Sequence, residues 1–275
     1  MSAYTPQPYP DTTLLASKAA AITGGCTGIG RAIVKELIHH GAVVAVNHLD
    51  DKVSNTAFES LKSEISTTLP PATSIDDVLI SVPGDISVPE TSTHFIAATV
   101  AKFGKLDIFV SNAGICDFHE FLSLPPSLYQ KHRAVNMDGA YYSTQAAANQ
   151  MKTQGHGGSI VGISSISALV GGAGQTHYTP TKAGVLSLMQ SAACALGQYG
   201  IRCNAILPGT IRTQLNDEDL KDQAKKERTE QRIALGRLGD PSDIAGPVVF
   251  LASDLARYVS GAQILVDGGA FVNFQ

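Results

Sequence analysis

Tyr178 and Lys182 stand four residues apart in the segment Tyr-Thr-Pro-Thr-Lys. On a helix that spacing puts both side chains on one face. A free phenol has a pKa of about 10 and is a poor base near neutrality; an ammonium beside it favours the phenolate and lowers that value. Such a pair can exchange a proton with a hydroxyl or carbonyl oxygen. Pro180 suits the first turn of a helix, where no N–H is required, so Tyr178 is expected at the helix mouth, within reach of a substrate. The same spacing also arises by chance from a core tyrosine and a surface lysine, so the neighbours decide. Ser164 and Ser165 end an apolar run ahead of this segment, which lets Ser165 hydrogen-bond the reacting oxygen from a strand end. Asn136, in a long helical stretch before that run, is a candidate to hold a water between Lys182 and solvent.

A second cluster could hold phosphates. Residues 23–30 (TGGCTGIG) join the first apolar run to the first helical stretch. Gly24, Gly28 and Gly30 let the backbone turn sharply, and with Thr27 and Ile29 they lead into a helix N-terminus. Its free N–H groups and partial positive charge suit a pyrophosphate. The pattern is T-G-x-x-x-G-x-G, not the general dinucleotide fingerprint G-x-G-x-x-G. Asp85 and Ile86 follow the third run, where Asp85 can accept from an adenine amino group. Asn112, Ala113 and Gly114 follow the fourth, small enough for a cofactor to lie against the backbone. An acid at the end of the second run would bind a ribose 2′-hydroxyl, and a base there would bind a 2′-phosphate. His48 stands at that place, either as a cofactor contact or as a solvent-facing loop histidine. Asp50 and Asp51 would repel a phosphate and no Arg or Lys lies within 24–30, so NAD is expected over NADP.

The elements that must position these residues follow from the alternation of short apolar runs (18–23, 43–47, 78–82, 106–111, 159–164, 201–207, 263–267) with helical patterns (29–40, 53–67, 90–103, 128–154, 179–199, 242–253). Near-continuous apolar strands in the order βαβαβ predict an α/β fold. It is a single-domain, doubly wound Rossmann-type parallel sheet of about seven strands over residues 17–275, with helices on both faces. Ligands are expected at the carboxyl ends of the strands. Residues 1–16, polar and proline-containing, read as a flexible tail without the features of a signal peptide. Residues 208–240 form a substrate loop whose charged middle is either a solvated helix face or a mobile lid.

Composition excludes other classes. The net charge of −4 provides no basic excess for a nucleic-acid partner. No apolar run approaches the ~18 residues of a membrane span. Cys26, Cys116, Cys194 and Cys203 are scattered, with no metal-ligand spacing, so no metal site is expected; they fit free thiols in a reducing cytoplasm.

The ordered set TGGCTGIG, Asp85, SNAG, Asn136, Ser165, Tyr178-x-x-x-Lys182 and Pro208-Gly209-Thr210-Ile211-Arg212-Thr213 resembles the short-chain dehydrogenase/reductase family over residues 18–275. The resemblance implies that Tyr178 is the general acid/base and that Lys182 lowers its pKa and holds the nicotinamide ribose. It further implies that Ser165 orients the substrate oxygen, that Asn136 completes a proton relay, and that Ile211 and Thr213, after Pro208 and Gly209, contact the nicotinamide carboxamide and phosphates. A homotetramer is implied by the same analogy. Ser111, where the family more often has Asn, and His48 depart from the pattern. Residues 112–124, 158–186 and the ending LVDGGAFVNFQ are similar to the L-rhamnose 1-dehydrogenase branch of that family. That similarity implies a small-molecule sugar substrate oxidised at its anomeric hydroxyl to the lactone. Gln175, His177 and Asn216 are then candidate sugar contacts, joined by His119, although each also fits as an ordinary polar loop residue. The competing expectations are an NADP-dependent carbonyl reductase of another polyol, ketose or 3-oxoacyl thioester, and a non-catalytic NAD(P)-binding protein.

Overall fold

The computed structural model describes residues 13–216 and 219–273. Its seven strands are β1 (Ala19–Thr23), β2 (Val43–His48), β3 (Leu79–Pro83), β4 (Ile108–Ser111), β5 (Gly158–Ile163), β6 (Ile201–Pro208) and β7 (Gln263–Val266). They pair in parallel in the order β3-β2-β1-β4-β5-β6-β7. Every residue of β1 is buried, as befits a strand covered on both faces. The chain runs outward from β1 to β3, then returns to the other side of β1 to begin β4. The reversal opens a crevice at the carboxyl ends of β1 and β4, where doubly wound sheets bind ligands.

Helices cover the two faces. On one side pack α1 (Gly28–His39), α2 (Lys52–Ser66) and α9 (Pro241–Ala252), which bury Ile33, Leu37, Leu61, Val248 and Leu251. On the other pack α4 (Pro89–Phe103), α6 (Gly139–Gln154) and α7 (Thr179–Leu196), which bury Phe95, Met151 and Met189 against Phe109 of β4. Local chemistry sets the helix ends. The Asp51 carboxylate accepts the Ser54 N–H at the start of α2, Asp240 forms a capping box with Asp243 at α9, and Gly104 ends α4 in the left-handed region. The short helix α3 (Ile75–Val78) leads into β3.

Three departures from the sequence pattern matter. The single helix expected over 128–154 is α5 (Pro126–His132), a wide π-helical turn (Arg133–Asp138) and α6. The charged stretch contains a helix, α8 (Gln223–Arg232), that buries none of its residues; Asp217 and Glu218 of that stretch lie outside the described residues. The expected tail over 1–16 lies outside them for residues 1–12, and residues 13–16 instead pack on the domain. Leu15 is 0% exposed within the α1/α2 core and donates its N–H to the His40 carbonyl. No helix among the described residues is long and apolar enough to cross a membrane.

Leu15→Ala should therefore cost about 2–5 kcal/mol, as for a core leucine. Urea unfolding measures it, and a loss under about 0.5 kcal/mol, typical of surface positions, would return Leu15 to a tail.

Candidate active site

The β1–α1 turn is shaped to bring backbone to a ligand. Gly24 (φ +65°) and Gly28 (φ +51°) take left-handed conformations. A Cβ on Gly30 would stand 2.2 Å from the Gly24 carbonyl oxygen, so the turn closes onto the helix only because no side chain is there. Thr27 caps α1 without a side-chain hydrogen bond, and no acid stands in the first turn. The N-terminal amides of a twelve-residue helix are thus unsatisfied by any side-chain cap, an arrangement that fits a pyrophosphate. Asn112 fixes the turn from β4: its Nδ2 donates to the carbonyls of Thr23 and Gly24 at 3.0 Å each, while Thr23 Oγ1 accepts the N–H groups of Asn112 and Ala113. Thr213 approaches Gly28 from the opposite wall. Ile211, buried, pairs with Gly239, and Gly209 donates to Val266 at the end of β7, following Pro208 of β6. Asp85 is exposed beyond β3; its Oδ1 accepts from the Ser87 N–H and hydroxyl, and Ile86 is buried against Gly139.

The chemical cluster assembles beside this turn. Ser165 follows β5, Tyr178 is the residue before α7, and Lys182 lies in the first turns of α7, so strand end and helix mouth meet as the spacing suggests. Tyr178 is half-buried, with the Ser165 hydroxyl close enough to lower its pKa. Lys182 is 5% exposed; its Nζ donates to the Ile163 carbonyl at 3.0 Å and lies 5.7 Å from the Tyr178 ring centre. Gly114 closes the group: a Cβ on it would be 3.3 Å from Lys182 Nζ and 3.4 Å from Asn136 Oδ1. Asn136, in the π-helical turn, accepts the Ile115 N–H (2.8 Å) and donates to the Ile115 carbonyl (2.9 Å) and Thr181 Oγ1 (3.2 Å). Its side chain braces the segment after Gly114 against α7.

Burial governs the electrostatics. It pushes the Lys182 amine down to about 8, with the Cys116 thiol acting the other way. Burial also holds the Tyr178 phenol above its ordinary value, seconded by Cys116, while the bond from Ser165 pulls it back. The sequence suggests a phenol lowered by its lysine, and the resting site departs from that. The amine faces a carbonyl some distance from the ring, and a dry environment disfavours both charges.

Several predicted contacts lie elsewhere. His48 is 5% exposed, stacks on Phe58, and has its ring nitrogens on Leu49 O (2.8 Å) and Ser81 Oγ (2.6 Å); it faces inward and offers no free nitrogen to a ribose. Asn216 is occupied by its own turn, donating to the Ile211 carbonyl and accepting the Thr213 N–H. His177 is 0% exposed, packed behind Tyr178 against His132, out of reach of a ligand in the cleft. His119 is half-buried, with Nδ1 at the Glu120 carbonyl. Gln175 does reach the cluster, through Nε2 to Cys116 Sγ at 3.1 Å. Cys116 is the site residue that sequence reasoning missed; its position two residues past Gly114 was the available signal. No group of three or more His, Cys, Asp or Glu among the described residues could hold a metal ion.

Comparison with known proteins agrees with this geometry. Residues 24–270 match a family model described as enoyl-(acyl carrier protein) reductase. An L-rhamnose-1-dehydrogenase of Scheffersomyces stipitis is 59% identical, with 96% of this chain and 100% of the relative covered. An L-rhamnose 1-dehydrogenase (NAD(P)(+)) of Azotobacter vinelandii is 53% identical, covering 95% and 100%. A crystal structure of a short-chain type dehydrogenase/reductase from Mycobacterium marinum superposes with a TM-score of 0.85 at 31% identity, covering 94% and 98%.

Gly30→Ala tests the phosphate turn. The displaced backbone should cost about 1–3 kcal/mol, weakening dinucleotide binding roughly tenfold to a hundredfold. Calorimetric titration reads the change, with the melting temperature as control; unchanged affinity would remove the turn from the cofactor site.

Proposed function

This chain belongs to the short-chain dehydrogenase/reductase family, and we propose that it oxidises the anomeric C1 hydroxyl of an aldose, L-rhamnose, to the lactone. The observation that carries the proposal is the meeting of Ser165, Tyr178 and Lys182 beside the Gly24–Gly30 turn. The sugar follows from relatives 59% and 53% identical over nearly the whole chain that are named for it. When bound, a nicotinamide dinucleotide supplies the hydride acceptor. The amides of α1 would hold its pyrophosphate, Asp85 its adenine, Tyr178 and Lys182 its nicotinamide ribose, and Ile211 and Thr213 its carboxamide end.

The remaining work belongs to the protein. Ser165 hydrogen-bonds the C1 oxygen and Tyr178 accepts its proton, while the C1 hydrogen departs with its electron pair. Positioned proton transfer of this kind contributes about 10²–10⁴-fold. Asn136 keeps Gly114 and Ile115 against Lys182, preserving a small dry space around the amine. Gln175 and the Cys116 thiol stand on the sugar side, where hydroxyls need partners because a buried unpaired polar group costs about 1–3 kcal/mol.

For the cofactor, NAD is the proposed preference, with NADP accepted. The depression at the end of β2 is lined by His48, Asp50, Asp51, Lys52, Asn55 and Glu59, three carboxylates against one lysine. Arg31, the nearest guanidinium on α1, is paired with Glu64. A higher kcat/KM for NADP than for NAD would overturn the preference.

Tyr178→Phe should lower kcat for L-rhamnose oxidation by about 10²–10⁴-fold, followed as nicotinamide reduction. Undiminished turnover would end the mechanism. The pH profile follows from the site. With the amine held down to about 8, Lys182 gives up its proton near that pH and can then take on the proton that Tyr178 passes from the substrate. Oxidation needs that vacancy, so log kcat/KM should climb with unit slope to about pH 8 and then level. Lactone reduction needs the proton and should decline above the same pH. A flat oxidation profile from pH 6 to 9 with chemistry rate-limiting would refute this assignment.

A further inference from the structure

The residues that begin the strands enclose a second cavity, at the end of the sheet opposite the Gly24–Gly30 turn. Its volume is about 570 Å³, within the roughly 300–1,000 Å³ of small-molecule sites. Lys18 precedes β1, Asp107 precedes β4 and Arg202 is the second residue of β6, and all three line it. Glycines make the room. A Cβ on Gly157 (φ +76°) would stand 2.4 Å from the Gly200 carbonyl oxygen, and one on Gly197 would project into open space.

The charges lining the cavity do not cancel. Asp107 is buried and already engaged: its Oδ2 accepts the Ala19 N–H at 2.8 Å and lies 3.1 Å from the Lys105 ammonium, while Oδ1 faces His156 Nδ1 at 3.8 Å. The Arg202 guanidinium is fixed by the carbonyls of Leu251 (2.8 Å), Val259 (3.3 Å) and Ser253 (3.4 Å), and Asp254 supports its charge against burial. Half-buried Lys18 and exposed Arg257 are left over. Neither takes part in an ion pair among the described residues. Tyr258, also in the lining, has a wholly exposed ring.

We propose that this cavity binds a small phosphate-bearing molecule, with Lys18 and Arg257 on its phosphate and Tyr258 under its organic part. A phosphate monoester carries about −1.5 to −2 charge near neutrality, which matches the two cations; a single carboxylate leaves one of them unmatched. Ammonium and guanidinium both form charge-assisted hydrogen bonds to phosphate oxygens, the guanidinium as a fork. The open face of Tyr258 suits a nucleobase, since every base has a face to stack. Free phosphate shares the anionic group and lacks the ring. Because the whole of β1 separates Lys18 from Gly24, this ligand and a dinucleotide bind together rather than in competition.

The site is independent of the sugar reading and is tested without sugar. The full chain is saturated with NADH, and inorganic phosphate and AMP are each titrated by calorimetry at fixed ionic strength. One saturable site should appear. Lys18→Met and Arg257→Met together should weaken both ligands by roughly tenfold or more, whereas Lys131→Met, which removes an exposed cation from α5, should leave them unchanged. Tighter binding of AMP than of phosphate, lost in Tyr258→Ala, assigns the site to a nucleotide; equal binding assigns it to free phosphate. The absence of a saturable site would overturn the proposal. So would an affinity unmoved in the double variant, an equal loss in Lys131→Met, or displacement of the anion by NADH, which would place it at the cofactor turn.

Discussion

The arrangement depends on keeping one amine dry. Lys182 is nearly inaccessible, no salt bridge among the described residues reaches it, and its Nζ donates to the backbone carbonyl of Ile163 at the end of β5. A charge in such a place is costly, and an amine relieves the cost by releasing its proton more readily. The phenol across from it is subject to the same pressure in the opposite sense. Site and scaffold are therefore inseparable: the carbonyl comes from the sheet, the amine from α7, and the lid over both from Gly114. A wetter site would return both groups to their solution behaviour, and the amine would no longer shed its proton near pH 8.

Asparagine side chains recur wherever the chain leaves the sheet near the site. Asn47 donates to Val82 of β3 and to Gly84 just past it, Asn112 to Thr23 and Gly24, Asn136 to Ile115, and Asn216 to Ile211. Backbone groups at strand ends have lost their ladder partners yet remain buried, where an unmade hydrogen bond is expensive. An amide carries both a donor and an acceptor, so one side chain can satisfy a turn that no neighbouring strand reaches. This explains why Asn112 and Asn136 sit amid the proposed catalytic residues while making most of their bonds to protein backbone.

The fold and the chemical core were legible in the sequence because both rest on periodicity. Parallel strands buried on two faces announce themselves as apolar runs, and Tyr178 and Lys182 share a face by helical spacing. Side-chain direction in loops has no such period. His48, His177 and Asn216 are polar residues in the right segments, yet His48 turns to Ser81, His177 to His132, and Asn216 back on its own turn. The same lack of pattern hid Cys116. Helix α8 was obscure for another reason: Gln223–Arg232 has no apolar stripe, so its helicity could not be read from burial. The upward shift of Tyr178 was not readable either, since it reflects burial and the Cys116 thiol brought near it by the fold.

The π-helical turn at Arg133–Asp138 has an evolutionary side. A wide turn is equivalent to one residue inserted into a regular helix, and each residue rotates the rest of the helix by about 100°. Here the surplus lets the part of the helix ending at His132 and the part beginning at Gly139 keep separate rotational phases, with Asn136 between them aimed at Ile115. Excising one residue would restore an ordinary helix and swing one half against the other. The length of this stretch, more than the identity of most of its side chains, is therefore what descent must conserve.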